Sequence, residues 1–193
     1  MKKNILFYLF FLIGISGQYI NSRDNRLIDS DGLERVFHGV NVVYKGDPWH
    51  PITTGFSYDK SFSTHDAQLL KDWGFNMIRL GVMWPGLEPK KGEYSSDYLN
   101  KIEEIINICQ KHDIYVLLDF HQDLLSRKFC GEGIPDWAVF NHNFTHRFPY
   151  PLDKNFVFID GIPSSECCDK HNWILYQFTQ EASRAYQDLY DNY

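Results

Sequence analysis

Asp119, His121 and Asp123 close an apolar run, Ile114-Tyr115-Val116-Leu117-Leu118, and Arg79 closes another, Phe75-Asn76-Met77-Ile78. Carboxylates, an imidazole and a guanidinium can bind hydroxyls, pair with one another, or move protons. An apolar run with no alternation is what a strand buried on both faces looks like. Polar side chains at the C-terminal ends of such strands are where a parallel α/β barrel carries its chemistry.

Each residue has a functional and a structural reading. Burying the Arg79 guanidinium is costly without an anion. It either orders a catalytic carboxylate or forms a structural ion pair with Asp119 or another acid. His121 either donates to a sugar hydroxyl or holds a carboxylate. Asp119 and Asp123 lie four apart on an extended segment, which leaves them free to point different ways. They are not read as the acid/base pair of a glycosidase, whose carboxyls must straddle one bond about 5–5.5 Å apart for retention. Lys45, just after the strand end that carries Asn41, either binds substrate hydroxyls or is a solvated loop charge.

Several elements must position these groups. Asp29-Ser30-Asp31-Gly32 is a turn sequence, and a strand is expected over 36–43. Ser63 or Thr64 caps a helix through Trp73, which Gly74 terminates. Strands follow at 75–80 and 114–120. Between them, a helix capped by Ser95 or Ser96 runs to about His112. Its Leu99, Ile102, Ile105, Ile106 and Cys109 fall at three- and four-residue spacing, a single buried stripe. A long loop covers 121–170, and a last helix is expected from about Trp173 to Tyr190. A loop of that size is functional or disordered; Trp137, Phe140, Phe144, Phe148 and Phe156 argue that it packs on something. The alternation of strand and helix implies an α/β fold with a parallel sheet.

The amino terminus reads as a signal peptide over residues 1–17: Lys2 and Lys3, an apolar stretch over 5–15, then small residues. That stretch falls well short of the about 20 residues that span a bilayer. The expected location is secreted or lumenal, including lysosomal or digestive compartments. A net charge of -6 without a basic patch argues against a nucleic-acid partner. An oxidising compartment permits disulfides among the four cysteines. Cys109, on the apolar face of a helix, is expected to be a buried free thiol. Cys130 is expected to pair with Cys167 or Cys168, because adjacent cysteines rarely bond to each other. No Cys-x-x-Cys spacing supports zinc. Asn143-Phe144-Thr145 is a glycosylation sequon.

As a set, His38-Gly39-Val40-Asn41, Gly74 to Leu80 and Leu118-Asp119-Phe120-His121-Gln122-Asp123 resemble glycoside hydrolase family 5. Val42-Val43-Tyr44-Lys45, Val82-Met83-Trp84-Pro85-Gly86-Leu87-Glu88-Pro89 and Gly131-Glu132-Gly133-Ile134-Pro135-Asp136-Trp137-Ala138 narrow the resemblance to endoglycoceramidases. It implies a (β/α)8 TIM barrel and retaining hydrolysis by two glutamates, without metal or cofactor. The implied substrate is a glycosphingolipid, cut between oligosaccharide and ceramide, with transient contact at a membrane surface to reach the ceramide. By position, Arg79 and His121 match active-site support residues. Lys45 and Asp123 match residues that bind the glucose next to ceramide, and Trp137 an aromatic lining the sugar subsites.

The departure from the family is large. Its acid/base Glu follows an Asn at the fourth strand end and its nucleophile lies at the seventh, whereas this sequence contains no Asn-Glu pair. Glu88, Glu93, Glu132, Glu166 and Glu181 lie elsewhere and are not substitutes. Residues 22–193 therefore read as the N-terminal part of a catalytic barrel, about its first three β/α units. No catalytic glutamate is expected in this chain; both are expected beyond Tyr193, and the chain alone is expected to be inactive. Two other functions stay open: a family 5 glycosidase acting on a β-glucan such as cellulose, and a non-catalytic glycan- or glycolipid-binding protein.

Overall fold

The computed structural model describes residues 19–123, 125–139, 157–169 and 177–193. The signal-peptide expectation, the Asn143 sequon, and Phe140, Phe144, Phe148, Phe156, Trp173 and Tyr176 lie outside those residues. The chain divides into two compact units, 1–38 and 39–193.

The first unit holds an antiparallel hairpin of β1 (Asn21–Arg23) and β2 (Arg26–Ile28). The expected turn at Asp29 follows it. The buried Asp29 carboxylate accepts from the backbone N–H groups of Asp31 and Leu33, both at 2.9 Å, and from Arg35 Nε at 2.6 Å.

The second unit is built on a parallel sheet of β3 (Gly39–Val42), β4 (Met77–Met83) and β5 (Tyr115–His121), in that spatial order. Its two crossovers run through α1 (Thr64–Asp72) and α3 (Ser96–Lys111). Asp66 closes the start of α1, its carboxylate accepting from the Ser63 N–H at 2.7 Å and from Ser63 Oγ at 2.8 Å. Gly74, at φ +83°, reverses the chain after it. Ser95 caps α3 by accepting from the Tyr98 N–H.

One face of β4 decides the core. Ile78, Leu80 and Val82 are buried in one cluster with Ala67 and Leu70 of α1 and Ile102, Ile105, Ile108 and Cys109 of α3. Alternation along a strand then sends Met77, Arg79 and Gly81 to the opposite face. That face carries the polar chemistry.

The structure shifts some expected boundaries. The first parallel strand is four residues, Gly39–Val42, and Val36 stands outside it, largely exposed. The buried stripe of α3 includes Tyr98 and Ile108, while Leu99 faces outward. Between β4 and α3 a short helix, α2 (Trp84–Leu87), forms with Pro85 in its first turn. The long loop contains the hairpin of β6 (Phe158–Ile159) and β7 (Ile162–Pro163), then α4 (Ser165–Asp169). The last helix, α5, spans Gln180–Asn192, with Thr179 as its cap. It starts later than expected, and Phe178 lies before it, exposed. Leu117, Leu118 and Phe120 of β5 are also exposed. The reading of burial on both faces therefore fails for β5, whereas every residue of β4 is buried or half-buried.

The Tyr98 hydroxyl donates no charge to this core but ties α3 to the end of β4, accepting from the Met83 N–H at 2.8 Å. Burial pushes its phenol pKa up to about 12, so it stays neutral. Tyr98→Phe should leave that buried N–H unpaired and cost about 1–3 kcal/mol. Chemical denaturation of the two proteins measures this. Equal midpoints and slopes would mean that the bond contributes nothing.

Candidate active site

Parallel pairing sets the site. The register aligns Asn41 with Arg79, Gly81 with Asp119, and Met83 with His121. Arg79, Asp119 and His121 therefore share the face opposite the α1/α3 layer. Arg79 donates from Nη2 to Asp119 Oδ2 at 2.7 Å, and from Nη1 towards Asn41 Oδ1 at 3.5 Å. Of the two readings of Arg79, the ion pair with Asp119 is the one formed by residues of this chain.

Asp119 and Asp123 do not diverge. Both carboxylates reach His121, Asp119 Oδ2 lying 2.7 Å from Nδ1 and Asp123 Oδ2 3.1 Å from Nε2. Positions i, i+2 and i+4 of an extended chain point the same way, so a spacing of four brings the acids together. A neutral ring donates to one of the two carboxylates, according to which nitrogen carries the proton, and only the imidazolium donates to both.

Beyond Asp123 the network continues. Lys45, on the loop after β3, donates to Asp123 Oδ2 and to Glu132 Oε1, the latter at 3.0 Å. It is not a solvated loop charge. Asn41, Arg79, Asp119, His121, Asp123, Lys45 and Glu132 thus form one continuous relay of polar contacts. Glu132, set aside in the sequence reading, belongs to it.

The Lys45 ammonium holds the Asp123 carboxyl below its ordinary range, against a smaller opposing effect of burial. Burial pulls the Lys45 pKa down, but its bonds to Asp123 and Glu132 outweigh this and leave it raised. Because Asp123 is depressed, its share of stability is full above about pH 4 and is lost as pH falls through the lowered value. Because Lys45 is raised, its share is full below about pH 10.4 and is lost as pH rises through the raised value.

Trp137 lies in another part of the site. Its indole N–H donates to the Glu88 carbonyl at 2.9 Å. The buried Glu88 carboxylate accepts from Trp84 Nε1 and from the Gly92 N–H, each at 2.7 Å. Glu88 thereby anchors both indoles, which meet edge to face at 5.8 Å with Tyr193 against both. Trp137 also lines a cleft of about 340 Å³ with Trp49, Pro85, Ile134 and the ion pair of Arg127 and Asp136. Trp84 and Glu88 gave no sign of this role in sequence beyond an aromatic and an acid in one Pro-rich segment.

Cys130 is bonded to Cys168, which ties the segment after β5 to α4. Cys167, half-buried, stands outside the disulfide, and its sulfur accepts from the Val157 N–H at 3.4 Å. Cys109 is a buried free thiol whose pKa burial pushes up to about 12.

If Lys45 is what depresses Asp123, then Lys45→Met should raise the Asp123 carboxyl pKa towards the ordinary carboxylate range. A 13C-detected NMR titration of the side-chain carboxyl reads both proteins. The same low midpoint in each would mean that the pair does not form in solution.

The chain is similar to two curated endoglycoceramidases. It is 47% identical to that of Hydra vulgaris over 97% of this chain and 37% of the relative. It is 46% identical to that of Cyanea nozakii over 90% of this chain and 34% of the relative. The chain thus spans about a third of the length of the relatives it matches. Two solved structures share its fold. Endo-glycoceramidase II from Rhodococcus sp. in complex with ganglioside GM3 superposes with a TM-score of 0.60 at 22% identity, covering 84% of this chain and 33% of that one. An endogalactoceramidase does so with a TM-score of 0.62 at 20% identity, over 90% and 36%. The parallel sheet is accordingly part of a TIM-barrel fold. Residues 39–151, which carry the whole relay from Asn41 to Glu132, match the family model described as Cellulase (glycosyl hydrolase family 5), and the chain belongs to that family.

Proposed function

We propose that the chain is the N-terminal part, about three of eight β/α units, of a retaining endoglycosidase that cuts between the oligosaccharide and ceramide of glycosphingolipids. The observation that carries this is the relay at the strand ends, in which Asp123 and Lys45 stand as a paired carboxylate and ammonium beside His121 and Arg79. Such a pair fits sugar hydroxyls, which both donate and accept. The identity of 46–47% to two endoglycoceramidases supports glycosphingolipid over other family 5 substrates. Fold alone would not, since one barrel serves many chemistries.

The chemistry divides as follows. The acid/base and nucleophile are two glutamates proposed to follow Tyr193. Glu88 is occupied in holding two tryptophans and Glu132 in holding Lys45, so neither replaces them. By itself the 193-residue chain is proposed to be inactive. Arg79 and His121 shape the polar floor on which those glutamates would act. Trp137 offers a ring face for a sugar, its indole fixed by the Glu88 carbonyl. No cofactor is invoked. The Cys130–Cys168 bond supports an oxidising, secreted or lumenal location. Reaching the ceramide calls for transient contact with a membrane surface.

The test uses the intact protein that carries this chain, with a fluorescent glycosphingolipid. Lys45→Ala and Asp123→Ala should each lower kcat/KM about tenfold to hundredfold, the loss of a charge-assisted bond worth roughly 1.5–3 kcal/mol. Their melting temperatures should stay near that of the unsubstituted protein. Arg79→Ala should lose more, because Asp119 and His121 lose their anchor. Undiminished cleavage by the first two variants would overturn the assignment of those residues. Cleavage of β-glucan without cleavage of glycolipid would favour a glucanase, and glycolipid binding without hydrolysis a non-catalytic protein.

A further inference from the structure

Lys45 has three N–H donors and, among the described residues, gives two of them to carboxylates on two different segments. Asp123 is one, at the end of β5. Glu132 is the other, on the segment that folds back along that end. The return is fixed by backbone bonds: the Glu132 N–H donates to the Asp123 carbonyl at 3.1 Å, and the Gly133 and Ile134 N–H groups to the Leu125 carbonyl at 2.9 Å each. Gly133 makes the approach possible. A Cβ there would lie 2.5 Å from the Asp123 nitrogen and the Gln122 Cα, so any side chain would push the segment away. Cys130, two residues before Glu132, is pinned by its bond to Cys168.

We propose that Glu132 is a positioning residue for sugar binding, which holds the Lys45 ammonium against Asp123 so that its third N–H is aimed at a substrate hydroxyl. This rests on the reading of Lys45 as a sugar ligand. A lysine on a flexible four-carbon stem, held by Asp123 alone, would swing about that single contact. A second carboxylate from a different segment fixes the head at two points. The pair also keeps the ammonium charged, in accord with the raised Lys45 pKa. Glu132 is half-buried, so it contributes to fold stability only modestly.

The test is a double-mutant cycle in the intact protein, built from Lys45→Ala, Glu132→Gln and the pair, with kcat and KM towards glycosphingolipid measured for each. Glutamine keeps the size of the side chain and removes its charge. Glu132→Gln should raise KM about three- to tenfold and leave kcat within about twofold, the pattern of lost binding that is equal in ground and transition states. Added to Lys45→Ala it should cost nothing further, because its effect runs through the missing ammonium. A residue that merely supports the fold would lower stability and cost the same in both backgrounds. Full additivity, or an unchanged KM in Glu132→Gln, would overturn the inference alone, leaving Lys45 as a sugar ligand if Lys45→Ala is impaired. A normal Lys45→Ala protein would overturn both the inference and the sugar reading beneath it.

Discussion

Burial of Ile78, Leu80 and Val82 against α1 and α3 decides which way Arg79 points. A shift of β4 by one residue would turn the guanidinium into that apolar layer and the isoleucine out of it. The cost of either change fixes the register, and the parallel register then fixes the rest. Asn41 stands beside Arg79, and the ends of β4 and β5 finish together at Met83 and His121. The functional face is thus a consequence of the hydrophobic one.

On that face the charges hold one another. Arg79, Asp119, His121, Asp123, Lys45 and Glu132 alternate so that every carboxylate has a donor beside it. Most are only partly buried, so their mutual attraction is screened and adds little to fold stability. Its value is geometric. Asp119, His121, Asp123 and Lys45 each touch two neighbours of the relay, and a site whose groups are already in place loses less freedom when a ligand arrives. The tryptophans follow the same logic with different chemistry, because one acid, Glu88, uses its carboxylate for Trp84 and its carbonyl for Trp137.

Much of this could be read from the chain. The apolar runs before Arg79 and Asp119 marked the strands, and Ser63, Gly74 and Ser95 marked the helix ends, because these are local signals. The family resemblance pointed to Arg79, His121, Lys45, Asp123 and Trp137. Lys45 read from its own segment looked like a solvated charge, because its partners lie on distant segments. Asp119 and Asp123 were misjudged by neglecting the two-residue period of an extended chain. Glu132 was invisible for a different reason. Its place depends on how a loop folds back, which Gly133 and the Cys130–Cys168 bond govern and periodicity does not register. The late start of α5 has the same origin, since Phe178 and the aromatic residues before it suit a helix or a packed loop equally well.

The central claim is that the strand-end relay is a sugar-binding surface, with Lys45 as its ammonium donor. The most direct measurement is a crystal structure of the intact protein with the glycan of a glycosphingolipid bound. The account predicts Lys45 Nζ within about 3 Å of a sugar hydroxyl, with Asp123 and Glu132 still on the same ammonium. A glycan bound in the barrel mouth, with Lys45 turned away and making no contact to it, would contradict the account.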